Sequence, residues 1–456
     1  MGHFIRALCF SLCLAGALSA CGGPSTAVRA DISRMLSAGQ HREAAKYIEA
    51  HKSSSYGKSN AVLFHLDKGA ALHYGGRYRQ SDHELDLAES RIEELYTTSV
   101  SKAAGRFLIN DNTEDYRGRP QDRAMLNVMR ALNYLFLGKP EESVVEARKV
   151  SEFLVRFAAA AEAKFSYKDD AFAHYLSGLV FAAKAYRDAA RAGIEPNLED
   201  ARISFANARA AYANYAGAYA TPTPQIDLPP LRRGEGELVF IHYNGPPPRI
   251  VSRDVQVAWD HAMVAVRETN SDSDGTVGRA VSAGLTPNSI TYAIPMFQQD
   301  GFRVVRSVVR VEAVGAQVET ELVEDVSSIL AKQIQEEAGA TQARAIARAT
   351  IKYLTAKVAE ETTRSAMKGS QYGALAAFGV GLFARAVAAA SESADDRSWA
   401  SLPAQVRLAR TRLPPGKYDV TIDLVRADGV PVGTRVIHNA TIADRRMTFC
   451  SLHTAL

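Results

Sequence analysis

The chain has 456 residues, 47% of them hydrophobic and 23% charged, with 17 prolines. At roughly 150 residues per domain this length allows two or three units with a sizeable core, and the composition excludes a disordered, collagenous or polytopic membrane chain. Lys and Arg number 54 against 50 Asp and Glu, a net charge of +4 that is too balanced for the electrostatic footprint of a nucleic-acid binder.

Residues 1–20 read as a secretory signal: Arg6, an apolar run from Ala7 to Ala17, then small residues before Cys21. The run is too short to remain as a spanning helix. A plain signal cut near Ala20 would leave the Cys21 thiol free. Leu18-Ser19-Ala20-Cys21 resembles a bacterial lipobox, which implies cleavage before Cys21 and lipidation of that residue on its sulfur and its new amine. Gly22 and Gly23 stand where retention in the inner membrane would call for Asp, so the same resemblance implies an outer-membrane lipoprotein on the periplasmic face, with residues 21–26 as the tether. Several acyl chains hold far more firmly than one, at ~0.8 kcal/mol per buried methylene. Cys9 and Cys13 fall in the discarded peptide, so lipidation of Cys21 leaves Cys450 without a disulfide partner.

Residues 27–216 are Ala-rich, with apolar positions three and four apart, the helical period. Helix pairs recur: a first helix ends at Gly39, Gly76 or Gly138, and a small residue, Ala44, Ser81 or Ser143, follows five positions on. Gly69 lets a facing helix approach. Gly178 to Tyr186, followed by Ala201, Phe205, Ala208 and Tyr212, forms a degenerate fourth pair. The pattern resembles the tetratricopeptide repeat (TPR), whose pairs bury their apolar faces against neighbours and present a groove for a peptide or protein; a non-repeating helical bundle fits the same periodicity. Tyr74, Tyr78, Tyr96, Tyr116 and Tyr134 are candidates for groove or core. Asn110-Asp111-Asn112-Thr113-Glu114-Asp115 lacks the central Gly and closing Glu of a calcium loop, so no metal is expected.

Residues 217–236 form a Pro-rich linker that cannot continue a helix. Beyond it, 237–456 read as a sandwich-like domain of antiparallel strands: 237–243, 289–297, 302–324, 406–413, 418–426 and 433–441. The fold class is therefore α+β. A helical insertion spans 325–391, amphipathic over 326–367. Residues 372–390 are almost wholly apolar and broken by Arg385; a spanning helix needs roughly 20 such residues, and the small side chains favour burial in the protein over membrane contact. Arg407, Arg410 and Arg412 suit a strand with an exposed basic edge. Asp395, Asp396, Arg397 and Trp399 are read as locking the insertion onto the sandwich.

No reactive constellation stands out: there is no Gly-x-Ser-x-Gly elbow, His-Glu-x-x-His helix or Walker loop. Asp260-His261 are adjacent and need not meet on a helix, and Cys450 reads as a buried apolar residue. No catalytic residue, metal or cofactor is expected.

The lipobox, Ala131-Leu132-Asn133-Tyr134-Leu135 with Gly138 and Val145-Glu146-Ala147-Arg148, the run Glu237 to Gly245, and Ala394-Asp395-Asp396-Arg397-Ser398-Trp399 with Leu402-Pro403 together resemble a family of bacterial TPR-like envelope lipoproteins to which no activity attaches. A looser architectural likeness links the chain to outer-membrane lipoproteins that activate peptidoglycan synthases. The helical groove and the lack of a reactive constellation point to a non-enzymatic scaffold or adaptor that grips a protein partner through its helices, with the sandwich as a further contact. Binding of glycan or peptidoglycan by the β half is the alternative, and an envelope hydrolase the third reading.

Overall fold

In the computed structural model, which describes residues 24–98, 114–160, 166–258, 267–269, 289–339, 341–342, 345, 362, 365 and 394–456, the turn glycines end helices. Gly39, Gly76 and Gly138 have φ of 72°, 69° and 73°, left-handed values that cost other residues but not Gly. They close the hairpins α1 (Thr26–Ser37) with α2 (His41–Ala50), α3 (Ala61–Tyr74) with α4 (Tyr78–Thr98), and α5 (Pro120–Phe136) with α6 (Pro140–Ala160); α7 (Ala171–Ala192) and α8 (Glu199–Tyr219) form a fourth. A π-helical turn, Lys52–Tyr56, joins the first pair to the second. Caps agree with the starts: Ser25 accepts from Val28 N and Asp170 from Ala173 N, while Pro120 and Pro140 need no N–H at the first turn.

The second and third hairpins are built alike. Ser81 Oγ donates to Gly69 O and Ser143 Oγ to Ala131 O, both at 2.7 Å and both twelve residues back. A Cβ at Gly69 would lie 2.7 Å from the Leu85 side chain, and one at Gly178 would lie 2.3 Å from the Phe205 ring. Close helix crossing thus depends on these two glycines.

Three sheets follow. One has the order β11 (Met447–Thr454), β1 (Gly236–Asn244), β8 (Gln405–Leu413), β7 (Glu321–Glu324); a second has β10 (Pro431–Ile442), β9 (Gly416–Val425), β5 (Arg306–Val311), β6 (Ala316–Glu319); a third has β3 (Arg267–Thr269), β2 (Arg249–Ala258), β4 (Ser289–Gln298). The chain is α+β. The expected all-antiparallel pairing fails at one place, because β1 and β11 run parallel, from Glu237 opposite Met447 to Asn244 opposite Thr454. Their 200-odd residues of separation impose no hairpin, so side-chain periodicity cannot tell direction. The single region expected at 302–324 is three strands, turned at Glu312–Val314 and Gly315, and β2 and β11 are strands beyond those expected from the sequence.

Every residue of β1 is buried. Leu238 and Phe240 face Val309, Val420, Ile422 and Leu424 of the second sheet. Val239, Ile241 and Tyr243 face the other way, into one core with the helices, Val406 and Leu408. The first sheet is therefore a middle layer, which explains why Glu237 to Tyr243 reads as an unbroken apolar run rather than an alternating one.

The Pro-rich segment is docked. Thr221, Ile226 and Leu231 are buried, and Leu231 N donates to Tyr186 Oη at 2.8 Å. The expected exposed basic edge is corrected here: β8 lies between β1 and β7. Arg410 Nε donates to Glu237 Oε1 at 2.8 Å, and Arg410 Nη1 and Arg412 Nη2 hold the carbonyls of Asp227 and Pro229. Arg407, on the opposite face, donates to Thr320 O, and burial depresses its pKa to about 10. Residues 326–339 are helical, and Leu330 and Ile334 pack on Ile250. Residues 372–390 lie outside the described residues.

The lock at 394–401 is corrected too, for it closes on the helices. Arg397 bonds Asp395, Asn60 Oδ1 and Glu114 O; Arg29 reaches Asp396 Oδ2 at 3.2 Å. Asp67 of α3 accepts from Ser401 N, Ser401 Oγ and Tyr56 OH, with Trp399 1% exposed alongside. Burial pushes the Asp67 carboxyl up to about 7 against these hydrogen bonds.

Candidate functional site

The inner helices leave little surface of their own. In α3, α5 and α7 buried residues run almost continuously, as from Ala124 to Asn133, because the outer helices cover one side and the first sheet the other. The concave face that a helical array would offer a partner is thus filled by this protein's own β1, β7 and β8.

A polar relay crosses that junction. Tyr243 OH donates to His73 Nε2 at 2.7 Å, His73 Nδ1 donates to Asn133 Oδ1 at 2.8 Å, Asn133 Nδ2 to Ser81 Oγ at 2.9 Å, and Ser81 Oγ to Gly69 O at 2.7 Å. Each member has its partner, as buried polar groups require. The relay needs His73 neutral, since Nε2 accepts, and burial brings its pKa down to about 4. His242 lies between Ser307 Oγ at 2.8 Å and Thr454 Oγ1 at 2.7 Å; burial, then Arg407, brings it to about 3. His453 stacks on Tyr74 with centroids 4.1 Å apart, and its Nδ1 is 3.2 Å from His41 Nε2. With His242 and His453 at 0% and 7% exposure and His73 at 1%, all three imidazoles are buried. The only signal for them in the sequence is that each of His73 and His242 sits between apolar or aromatic neighbours, as a buried histidine does.

The open site lies on the other side of the helices. In α4 the buried stripe Leu85, Ala88, Ile92 and Leu95 leaves Asp82, Asp86, Glu89 and Glu93 along a neighbouring stripe, four, three and four residues apart. In α6, Val144, Ala147, Val150 and Leu154 are buried, and Glu146, Lys149, Glu152 and Arg156 line up beside them. Between these walls α5 supplies a floor of Arg123, Leu126, Asn127 and Arg130. Arg130 reaches Asp82 at 3.0 Å, Asp86 at 2.9 Å, and Glu89. Lys149 is 3.1 Å from both Glu89 and Glu146, and Asn127 Nδ2 donates to the same two carboxylates. Burial opposes the Arg130 charge, but Glu146, Asp82 and Glu89 outweigh it and hold the guanidinium ionised. At the other end a cavity of about 180 Å³ is lined by Ile92, Glu93, Arg123, Glu152, Phe153 and Arg156. The Arg123 guanidinium lies 4.0 Å from the Phe153 centroid and 4.5 Å from that of Tyr96, a cation–π arrangement.

The remaining candidates fall apart in space. Tyr116 is buried and donates to Asp122, Tyr74 and Tyr78 pack at the junction, Tyr134 OH donates to Asp82, and Tyr96 is 41% exposed at the groove. Asp115 pairs with Arg91 at 2.8 Å. Burial pushes the Cys450 thiol up to about 12, so it is no thiolate. Cys21, Asp260, His261 and residues 110–113 lie outside the described residues. Among the described residues no three His, Cys, Asp or Glu side chains are arranged to hold a metal, and no helix is long and apolar enough to cross a membrane. No family model, curated protein or solved structure matches the chain.

Proposed function

We propose that this protein is a non-enzymatic scaffold or adaptor, anchored through a lipid on Cys21 at the periplasmic face of the bacterial outer membrane, whose helical hairpins are TPR-like units that bind a protein partner. The observation that carries the reading is the groove between α4 and α6. It is open, places the rings of Phe153 and Tyr96 beside the Arg123 guanidinium, and is lined by the charged side chains of Glu93, Glu152 and Arg156. Charged side chains beside apolar surface are what a polar-rimmed protein interface uses to set orientation. The repeated Ser-to-carbonyl bond in the second and third hairpins supports the repeat, and the sheet covering the inner face favours the outer side as the place of binding.

A photoreactive residue at position 152, in intact cells, is expected to capture a protein identifiable by mass spectrometry that the same residue at position 203, exposed on α8, does not. Equal capture at both, or none, overturns the groove. Cys21→Ser is expected to abolish acyl labelling and membrane fractionation; retained label overturns the anchor. Pelleting of the protein with purified cell-wall sacculi, without a captured protein, would transfer the function to peptidoglycan.

A further inference from the structure

The C-terminal end of β11 is held at a place where protons cannot be accommodated. His453 stacks on Tyr74 of α3, faces His41 of α2 at 3.2 Å, and has His73 and His242 as neighbours. Between His41 Nε2 and His453 Nδ1 one nitrogen must donate and the other accept, so charging both rings would set two N–H groups against each other with no acceptor. His73 and His242 offer no relief, since Tyr243, Asn133, Ser307 and Thr454 already occupy their ring nitrogens. The other groups acting here are Tyr74, Tyr78 and Tyr243, which burial keeps protonated, Asp67, which acts on Tyr74 and is held by Ser401 and Tyr56, Cys450 beside Tyr78, Arg407, which disfavours charge on His242, and Glu43 on α2, which favours charge on His41. Beyond His453 the chain is held on the sheet side by Gly245 N donating to Thr454 O at 2.8 Å and by Thr454 Oγ1 with His242 and Asn244 Oδ1, whereas on the helix side Ser37 Oγ donates to Ala455 O at 2.9 Å; Arg303 N donates to Leu456 O at 2.8 Å.

We infer that the His41–His453–Tyr74 stack is an acid-sensitive clasp, which below neutral pH releases residues 453–456 from the α1–α2 hairpin and uncovers the sheet-facing side of that hairpin. Burial keeps the His453 pKa well below its ordinary value while the clasp is closed, and opening restores the ordinary value of about 6.5. Opening is therefore linked to proton uptake. The clasp does not depend on the scaffold reading, since its test involves no partner.

Hydrogen exchange of the full mature chain, corrected for the intrinsic pH dependence of exchange, reads the opening directly. Between about pH 7.5 and pH 5, peptides covering 36–48 and 449–456 should lose protection about thirtyfold, the factor for one histidine of ordinary pKa charging on opening. Peptides covering 405–425, which exchange through global opening, should lose protection only as far as the urea-measured stability falls over the same range. His453→Phe, which keeps the stack on Tyr74, should cut the acid response of 36–48 and 449–456 to within about fivefold; His453→Gln should do the same and serves if the Phe variant is unfolded. Unchanged protection at acid pH, equal loss over the whole chain, or an undiminished response in a folded variant would each overturn the clasp.

Discussion

A Cβ placed on Gly178 would sit 2.3 Å from the Phe205 ring, whereas one on Gly217 meets nothing within 4 Å. Both glycines are helical, so the pair separates packing from propensity. Gly178→Ala is expected to destabilise by about 1–3 kcal/mol through overpacking, and Gly217→Ala to be neutral or stabilising by up to about 1 kcal/mol; urea midpoints measure both. A Gly178→Ala chain as stable as the parent would show that α7 and α8 separate at no cost. Gly69 was legible in the sequence as a place of close approach, because a Gly inside an apolar helical period has few other uses. The partners of Arg410 were not legible. Glu237 lies 173 residues away, and only pairing of β1 with β8 brings the two together.

At the scale of elements, α4, α5 and α6 are joined by a charge network in which the largely buried Asp82, Glu89 and Glu146 and the exposed Asp86 surround Arg130 and Lys149. Removing the more buried cation leaves carboxylates desolvated and mutually repelling. Arg130→Met is expected to cost about 3–5 kcal/mol, read as a lowered urea midpoint, and a loss below about 1 kcal/mol would mean the network is solvated like a surface pair. A second element-scale effect is acid-linked. Lys68 and His65 of α3 grip Glu84 of α4, and although burial opposes it, these partners bring its pKa down to about 2. A carboxyl depressed on folding stabilises fully above its unfolded pKa and loses that contribution as pH falls through the folded one. The α3–α4 tie should therefore weaken from about pH 4.5 down to 2, which the acid dependence of amide exchange in residues 61–98 measures. The stripes that form the groove were legible as helical periodicity, but which stripe faces a neighbour and which faces water depended on the order of packing.

For the whole molecule, the decisive feature is a sheet buried on both faces between helices and a second sheet. A chain ending at residue 216 would expose the sheet-facing sides of α3, α5 and α7, and it is expected to bind a hydrophobic dye and self-associate in size-exclusion chromatography. A monodisperse fragment with native-like exchange protection would show that the helices stand alone. Acid should unfold the protein in stages. His73 and His242 have folded pKa values of about 4 and 3, both below the unfolded value. Their neutral forms thus support the fold above about pH 6.5, and stability falls as pH drops below that, by about 2 kcal/mol per histidine at pH 5. A urea midpoint that stays level from about pH 7 to 5 would contradict the burial of both.

Local chemistry determined much on its own: the α+β division, the hairpin turns at Gly39, Gly76 and Gly138, the break at the prolines, and β1 as a strand are all consequences of backbone preference and side-chain period. Those forces act over a few residues and carry no information about distant ones. The parallel pairing of β1 with β11, the burial of Arg410, the closing of 394–401 onto the helices and the gathering of His41, His73, His242 and His453 were decided only by tertiary packing. Each joins segments more than 150 residues apart, and what brings them together is the need of one sheet to bury both its faces.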